Sequence, residues 1–372
     1  MVGLSGGVDS AVAALLLVEQ GYDVHALFMD NWEDDEDETY CNAAEDFQDA
    51  RQVAERLGIP LTKVNFAREY RERVFSYFIR EYEAGRTPNP DVLCNSEIKF
   101  KAFLDYALRL GARKIATGHY ARVRQVNGRA QLLKGLDAGK DQSYFLHAVP
   151  ETALAKTLFP IGELEKSVVR ARAEDAGFAV FDKKDSTGIC FIGERPFRDF
   201  LQKYLPVRSG EMVTPEGDIV GEHQGLTYYT LGQRKGLHIG GVKAGEESPW
   251  YVVDKRMDRN ELVVAQGHDH PLLFRDALDA VALHWINEAP VEGAVVAAKT
   301  RYRQSDQACH VVSCDEHRLR VRFAQPQRAM TPGQYVVLYD ADICMGGGII
   351  ETAFNATSQS SEILSSNADA LR

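Results

Sequence analysis

Cysteine is scarce in this sequence: there are six among 372 residues, and no two of them are spaced as C-x-x-C. Six scattered cysteines are too few to stabilise a chain of this length through disulfides. The missing pair also removes local support for zinc-ribbon, thioredoxin-type and cysteine-pair iron–sulfur sites. The sequence therefore favours a reducing compartment, where a lone cysteine is either a core residue or a reactive thiol.

Long hydrophobic runs are also missing. No stretch approaches the roughly 18 apolar residues of a membrane span, and the N-terminus lacks a basic region followed by an apolar one. Acidic residues outnumber basic ones by 54 to 43, for a net charge of −11. This balance argues against a surface that is basic overall and binds nucleic acid through its general charge, but it leaves room for a local basic surface. We expect a cytoplasmic protein with no membrane and no DNA partner.

The pattern of apolar and turn-forming residues changes along the chain and predicts three domains and a tail. Over the first 120 residues, short apolar strands alternate with helices, a pattern typical of βαβ units on a parallel sheet. Residues 152–205 look mainly helical, and turn-rich β patterns follow from 206. We therefore expect an α/β N-terminal domain with a Rossmann-like parallel sheet (1–205), a small β-rich central domain (206–272), a C-terminal β-barrel (273–354) and a disordered tail (355–372).

The most informative segment is Gly3-Leu4-Ser5-Gly6-Gly7-Val8-Asp9-Ser10, between a predicted strand and a predicted helix. Adjacent glycines permit a tight turn with several N–H groups facing one concavity, and the helix adds the positive end of its dipole. Ser5 and Ser10 add hydroxyl donors, and Asp9 could hold a magnesium ion. No G-x-x-x-x-G-K-[ST] occurs, so γ-phosphate transfer of the Walker type loses support. The segment predicts a site for the phosphates of a nucleotide.

Two cysteines lie in settings that suit reactive thiols. Cys94 follows Asn89-Pro90-Asp91-Val92-Leu93 and precedes a helix predicted over 97–110, so a helix N-terminus and two nearby lysines would stabilise its thiolate. Asp91 could act beside it as an acid or base. Cys190 lies in a short run between Lys183-Lys184 and Gly193. Residue chemistry alone leaves open that both are ordinary core cysteines.

These motifs carry a resemblance to known proteins. Ser-Gly-Gly-Val-Asp-Ser resembles the pyrophosphate loop of the ATP pyrophosphatase class, which splits ATP between its α- and β-phosphates and adenylates a carbonyl oxygen. Eight further motifs follow this loop along the chain: PNPDVLCN, ATGHYAR, GKDQSYFL, KKDSTGICFIGER, GEHQGL, LGQRKGL, TRYRQ and MGGGII. Together with the loop, and in this order over nearly the whole chain before the tail, they resemble the motifs of the bacterial tRNA-specific 2-thiouridylase family. One departure is the first strand, where only Met1 and Val2 precede Gly3.

The resemblance implies an ATP-dependent sulfurtransferase that forms 2-thiouridine at the wobble position of tRNAs for Lys, Glu and Gln. ATP, with Mg²⁺, would adenylate the uridine O2 and release pyrophosphate, and a persulfide sulfur on Cys190 would replace the oxygen as AMP leaves. Cys94 would attack that persulfide or free hydrosulfide, leaving a Cys94–Cys190 disulfide. A cysteine desulfurase or a sulfur-relay carrier would supply the sulfur.

The same resemblance assigns binding residues, and it implies no resident metal site. The nucleotide positions are Gly3, Leu4, Ser5, Gly6, Gly7, Val8, Asp9, Ser10, Met29 and Gly118. The tRNA positions are Asn89, Pro90 and Asp91, which would meet a uridine flipped out of its stack, together with His119, Lys140, Asp141, Gln142, Arg301, Tyr302 and Gln334, and the helical stretch of about 150–205.

The distribution of charged residues along the chain can be compared with the predicted tRNA positions. Residues 299–328 hold seven Lys or Arg and three Asp or Glu, a balance that suits RNA phosphates, although a solvated β face explains it as well. Residues 30–38 hold seven acids and are predicted as a solvated loop. Cys41, Cys309, Cys314 and Cys344 match no catalytic position.

Two other function classes remain open at this point. A different ATP pyrophosphatase that adenylates a small molecule would leave Cys190 and the two β domains without a role. A tRNA-binding module without chemistry would leave the phosphate loop without one.

Overall fold

The computed structural model describes residues 1–32, 43–185, 197–206, 208–239 and 248–356. These residues form a parallel sheet covered by helices, a small four-stranded sheet and a closed β-barrel, which confirms the predicted fold class. Within the described ranges, no helix is both long and apolar enough to cross a bilayer.

The N-terminal sheet has five parallel strands in the order β3-β2-β1-β4-β7. The first seven strands of the chain are β1 (Val2–Gly3), β2 (Ala26–Asp30), β3 (Leu61–Asn65), β4 (Ile115–Ala116), β5 (Ala121–Val126), β6 (Arg129–Lys134) and β7 (Thr157–Leu158). The chain builds outward from β1 through β2 to β3 and then returns to place β4 on the other side of β1. The strand order therefore reverses between β1 and β4, which is where sheets of this type bind their ligands.

Helices cover both faces of this sheet. Side chains of β2 alternate between the faces: Leu27 and Met29 join one buried cluster, whereas Ala26 and Phe28 join the other. The longest helical segments are Val8–Glu19, Ala43–Leu57, the consecutive segments Ala67–Tyr70, Arg71–Phe75 and Ser76–Glu83, and the consecutive segments Pro90–Leu93, Cys94–Phe103 and Leu104–Arg109. We refer to the last two stretches as helix 67–83 and helix 90–109, and both pack on the Met29 side.

Helix 90–109 begins earlier than the sequence prediction. Asn89 caps it by accepting the N–H of Asp91 at 3.2 Å, and Pro90 occupies the first turn, where its missing N–H leaves no hydrogen bond unmade. Cys94 therefore lies inside a continuous helical stretch, and its predicted position before a helix N-terminus is wrong. Helix-dipole activation of Cys94 loses its basis.

The stretch 152–205 is less helical than predicted. Its described part contains only the short helices Glu151–Leu154, Lys166–Asp175 and Phe197–Gln202, separated by turns and by the edge strand β7. Pro160 and Gly162 interrupt the helical pattern shortly after β7. A further short helix, Ser143–Leu146, precedes this stretch.

Ten more strands build the two β regions. The central sheet has the order β10-β11-β8-β9, and the barrel runs β12-β15-β14-β13-β16-β17 and closes through pairing of β12 with β17. Their bounds are β8 (Gly210–Val213), β9 (Ile219–His223), β10 (Trp250–Arg256), β11 (Glu261–Gln266), β12 (Phe274–Trp285), β13 (Val295–Lys299), β14 (Gln307–Cys314), β15 (Arg318–Arg328), β16 (Tyr335–Asp340) and β17 (Ile343–Phe354).

The N-terminal region and the barrel share one sheet. The hairpin β5–β6 turns at Asn127 and Gly128, both with positive φ (51° and 79°), and β6 pairs with β17. Barrel and hairpin together make an eight-stranded sheet. The N-terminal region is thereby hydrogen-bonded to the last strand of the barrel.

Candidate active site

The loop Gly3–Ser10 lies at the reversal of strand order. Ser10 Oγ accepts the Ser5 N–H at 3.1 Å and donates to the Gly7 carbonyl at 3.0 Å, which closes the turn. The next helix begins at Val8, so the N–H groups of residues 8–10 have no acceptor within it. A closed turn that presents free N–H groups and a helix N-terminus forms a cradle for an anion.

Two glycines make this geometry possible. Gly6 has φ +78°, and a Cβ there would collide with the Asp46 carbonyl. Gly118 follows β4, and a Cβ there would lie 2.6 Å from the backbone of Asp9 and Ser10. A Cβ on Gly3 would lie 3.5 Å from Met29 Cε. The structure thus brings together the predicted nucleotide positions from the ends of β1, β2 and β4.

A group of alternating charges covers the loop from one side. Lys166 Nζ donates to both oxygens of Asp9, at 2.7 and 2.8 Å, and lies 2.7 Å from an oxygen of Asp185. Tyr120 OH also donates to Asp9, at 2.8 Å, and Lys140 donates to Asp185 at 2.6 Å. Burial alone would raise the pKa of Asp185, but the hydrogen bonds from Lys140 and Lys166 lower it to about 2. Asp185 is therefore fully ionised at neutral pH.

A second ammonium group contacts the loop directly. Lys183 Nζ donates to the Gly6 carbonyl at 3.2 Å, to Asp46 at 2.7 Å and to Asp49 at 2.5 Å. Burial by itself would lower the pKa of Lys183, but the bonds to these two aspartates raise it. Sequence reasoning missed the contacts of Lys166 with Asp9 and of Lys183 with Gly6, Asp46 and Asp49, because these partners lie 134 to 177 residues away.

This arrangement suits a polyphosphate. Backbone N–H groups complement phosphate oxygens, and the ammonium groups of Lys166 and Lys183 complement their charge. Asp9 has the carboxylate chemistry that Mg²⁺ prefers, but both its oxygens bind Lys166, so a magnesium ion there would displace that ammonium group. The residues present therefore fit the phosphates of ATP.

Cys94 lies on the same face of the sheet as Met29. Both side chains belong to one buried cluster, and Cys94 is 0% exposed. The neighbouring Asn95 donates to the Phe145 carbonyl at 3.2 Å, while its side-chain oxygen is buried without a hydrogen-bond partner. Cys190 lies outside the described residues. Asp185, five residues before it, is held at the phosphate loop by Lys166.

The predicted tRNA residues Lys140, Asp141 and Gln142 all have partners within the chain. Lys140 bonds to Asp185, and Gln142 Oε1 accepts the Tyr120 N–H at 2.9 Å. The Asp141 carboxylate is buried and pairs with Lys299 at 3.1 Å. These three residues connect the loop after β6 to the phosphate loop on one side and to the barrel on the other.

His119 is buried beside Gly118. Its Nδ1 lies 2.7 Å from Thr117 Oγ1, and its ring packs against Phe100 and Phe159. Burial, with a smaller contribution from the charge of Lys99, holds the pKa of His119 well below its usual range. Its imidazole is therefore neutral at physiological pH.

Three further predicted tRNA residues lie where the domains meet. Arg301 Nη2 donates to the carbonyls of Leu231 and Ala329 and to Thr331 Oγ1. Burial lowers the pKa of Arg301. The ring centroid of Tyr302 is 4.3 Å from that of Phe145, and Gln334 Nε2 donates to the Thr87 carbonyl at 2.7 Å.

The basic stretch 299–328 is largely paired. Arg320 forms a bidentate contact with Asp279 at 2.6 and 2.8 Å. Carboxylates also lie within 4 Å of Lys299, Arg318 and Arg322. The net positive charge counted along the sequence is thus balanced by carboxylates from other strands and loops.

Comparison with known proteins covers the same regions. Family models described as tRNA methyl transferase HUP domain, tRNA methyl transferase PRC-barrel domain and aminomethyltransferase beta-barrel domain match residues 1–194, 198–266 and 275–350. A solved structure, the U34-tRNA thiolase NcsA from Methanococcus maripaludis with its 4Fe-4S cluster, is 19% identical and covers 55% of this chain and 65% of that one. Its TM-score of 0.34 supports no argument.

Curated relatives are similar over almost their whole length. The tRNA-specific 2-thiouridylase MnmA of Methylococcus capsulatus is 63% identical over 96% of this chain and 98% of its own. The protein of the same name from Chromohalobacter salexigens is 58% identical over 95% and 93%. The model descriptions mention methyl transfer whereas the relatives are named for thiolation, and we follow the names of the relatives because their similarity is full-length. The chain belongs to the tRNA-specific 2-thiouridylase family.

Proposed function

We propose that this chain catalyses ATP-dependent 2-thiolation of the wobble uridine of tRNAs for Lys, Glu and Gln, in the cytoplasm. The observation that carries the proposal is the Gly3–Ser10 cradle, with Lys166 and Lys183 against it, on a sheet whose Met29 face also buries Cys94. A phosphate site and a thiol on one domain suit a reaction that activates an oxygen and then replaces it with sulfur.

In the first step the uridine O2 attacks the α-phosphorus of ATP. The bond between the α-phosphorus and the bridging oxygen breaks, pyrophosphate leaves, and O2 becomes part of an AMP leaving group. The cradle and the two ammonium groups would stabilise the charge that develops on the pyrophosphate. Mg²⁺ bound with ATP would supply further charge neutralisation.

In the second step the terminal sulfur of a Cys190 persulfide attacks C2. The Cys94 thiolate attacks the inner sulfur and breaks the S–S bond, so the two cysteines are oxidised to a disulfide while the transferred sulfur is reduced. AMP departs with the former O2, and a thiol reductant reopens the disulfide. A persulfide carrier, either a cysteine desulfurase or a relay protein, reloads Cys190.

Two observations support this arrangement. Asp185, which precedes Cys190 by five residues in the sequence, is bound to Lys166 and hence to the phosphate loop. Asn89 caps the helix that carries Asp91 and Cys94, which fixes the backbone where the target base would enter. Asp91 is then the candidate acid or base.

Nucleoside mass spectrometry tests the proposal. Unmodified tRNA is incubated with the protein, ATP, Mg²⁺ and a persulfide source, and 2-thiouridine is quantified. Cys190→Ser and Cys94→Ser should each abolish the product, whereas the control Cys314→Ser, on barrel strand β14, should retain it. Pyrophosphate release that needs no tRNA would favour a small-molecule synthetase, and full thiolation by Cys190→Ser would contradict the assigned sulfur carrier.

A further inference from the structure

The segment immediately before helix 90–109 is held by the two β regions. The Gly85 carbonyl accepts Lys255 Nζ from β10 at 3.0 Å. The Thr87 N–H donates to the Pro332 carbonyl, between β15 and β16, at 3.1 Å. The Thr87 carbonyl accepts Gln334 Nε2 at 2.7 Å. Both carbonyls and the Thr87 N–H are therefore bound by residues about 170 to 247 positions later in the chain.

Close packing at this junction is built into the backbone. Gly85 has φ +75°, a backbone conformation that favours glycine. Gly333 has φ +91°, and a Cβ there would lie 2.9 Å from the Thr87 nitrogen. Thr87 is 8% exposed, and its hydroxyl lies 3.3 Å from that of Thr230. At Gly333 the barrel thus approaches the Thr87 backbone too closely for a side chain to fit.

The contacts on the segment are costly to break. Desolvation lowers the pKa of Lys255 to about 8, and in its charged form the ammonium group donates to the Gly85 carbonyl. Removal of either donor leaves a partly buried carbonyl without this hydrogen bond, which is unfavourable. The N-cap Asn89 lies two residues after Thr87 and helix 90–109 begins at the next residue, so a shift of Thr87 would move Asn89, Asp91 and Cys94.

We propose that Lys255 and Gln334 are positioning residues that fix segment 85–89 from two separate β regions and thereby set the position of Asp91 and Cys94. The catalytic part of this inference rests on the function proposed above. Gln334 would then act on the reaction through the protein backbone, in contrast to the tRNA contact that the resemblance assigns to it.

Hydrogen–deuterium exchange and steady-state kinetics together test this inference. Lys255→Met and Gln334→Leu remove the donors with little change in volume. In each variant of the full chain, amides of residues 85–94 should exchange at least tenfold faster, and the kcat of thiolation should fall about tenfold. The Kd for ATP should stay within about twofold, because neither donor contacts the phosphate loop.

Matched controls separate positioning from general destabilisation. Arg256→Met changes the neighbouring residue of β10, whose guanidinium pairs with Glu261 inside the same sheet, and should leave exchange at 85–94 unchanged. Lys255→Arg keeps a donor and should restore most of the lost kcat. If the two donors act on one segment, the double variant should lose less than the product of the single losses.

The outcomes are distinct. Unchanged exchange at 85–94 in both variants overturns the inference. Faster exchange with unchanged kcat overturns its catalytic part. A weaker tRNA affinity with unchanged exchange would make Gln334 a direct RNA contact and also overturn it. If the unmodified chain makes no 2-thiouridine, the proposed function fails, whereas the exchange arm still tests the hold on segment 85–89.

Discussion

The two halves of the candidate active site are held in place by opposite kinds of interaction. Charged groups surround the phosphate loop: Lys166 and Lys183 bridge it to aspartates, all within the N-terminal region. Segment 85–89, which leads to Cys94, is held mainly through its backbone carbonyls and N–H groups by the central region and the barrel.

This difference follows the expected ligands. Ion pairs around the loop can exchange an aspartate for a phosphate, since both are anions that accept from the same ammonium groups. Backbone hydrogen bonds have no such competitor and keep one geometry. The charged half is therefore suited to respond to ATP, and the backbone-held half is suited to present a thiol in a fixed place.

The largest expected effect comes from Gly6→Ala. The new Cβ would meet the Asp46 carbonyl at a positive φ, so the cradle should not close. We expect the Kd for ATP, measured by calorimetry, to rise at least about 100-fold, or roughly 2.7 kcal/mol. Gly7→Ala is the matched control, since its φ is −101° and its Cβ would lie 3.6 Å from Ser5 Oγ. Equal losses in both variants would contradict the steric argument.

Arg301→Ala tests the junction between the central region and the barrel, the two regions that hold segment 85–89. Loss of its guanidinium leaves the Leu231 and Ala329 carbonyls without this donor, and we expect the free energy of unfolding to fall by about 2–3 kcal/mol. Arg303→Ala, which removes a cation stacked on Tyr302, is the control and should cost less. The predicted tRNA contact of Arg301 is tested separately by the salt slope of tRNA binding, which should become shallower by about one if it binds a phosphate.

Lys183→Gln and Asp49→Asn should shift ATP affinity in opposite directions. The first removes an ammonium group from the loop, and the Kd for ATP should rise about tenfold, or roughly 1.4 kcal/mol. The second removes a carboxylate that competes for that ammonium group, and the Kd should fall. Lys63→Gln, which breaks an ion pair with Asp30 on β2, controls for the change in net charge. Shifts in the same direction would show that Lys183 has only a structural role.

An effect of similar size to that of Lys183→Gln concerns pH. His147 is buried, its Nδ1 lies 2.8 Å from the Tyr144 carbonyl, and desolvation lowers its pKa to about 4. Between pH 6.5 and 4 the unfolded chain binds a proton at His147 that the folded chain does not, so stability falls as pH falls through this window. His147→Gln should remove about 1–2 kcal/mol of that loss between pH 6.5 and 5 in urea unfolding curves. An unchanged pH slope would contradict the neutral buried imidazole.

Local features of the site could be predicted from the sequence. The loop Gly3–Ser10 depends on adjacent glycines and the start of a helix, which are all encoded within eight residues. The Asn89 cap and the Asn127-Gly128 turn carried equally local signals, but the start of helix 90–109 was placed too late and the hairpin β5–β6 was missed.

The interactions between distant residues could not be predicted in this way. A count of charges along 299–328 does not include Asp279 and Asp141, which neutralise Arg320 and Lys299 from 41 and 158 residues away. The same holds for Lys183 at the Gly6 carbonyl and Gln334 at Thr87. Such partners depend on topology, and topology brings them together only after the sheets have formed.

Oxygen labelling tests the central claim most directly. A tRNA that carries ¹⁸O at O2 of the wobble uridine is reacted in a single turnover with ATP, Mg²⁺ and a persulfide source in ordinary water. If the uridine oxygen attacks the α-phosphorus, the released AMP carries one ¹⁸O atom for each 2-thiouridine formed. Unlabelled AMP alongside 2-thiouridine would show that the oxygen leaves by another route and would contradict the account.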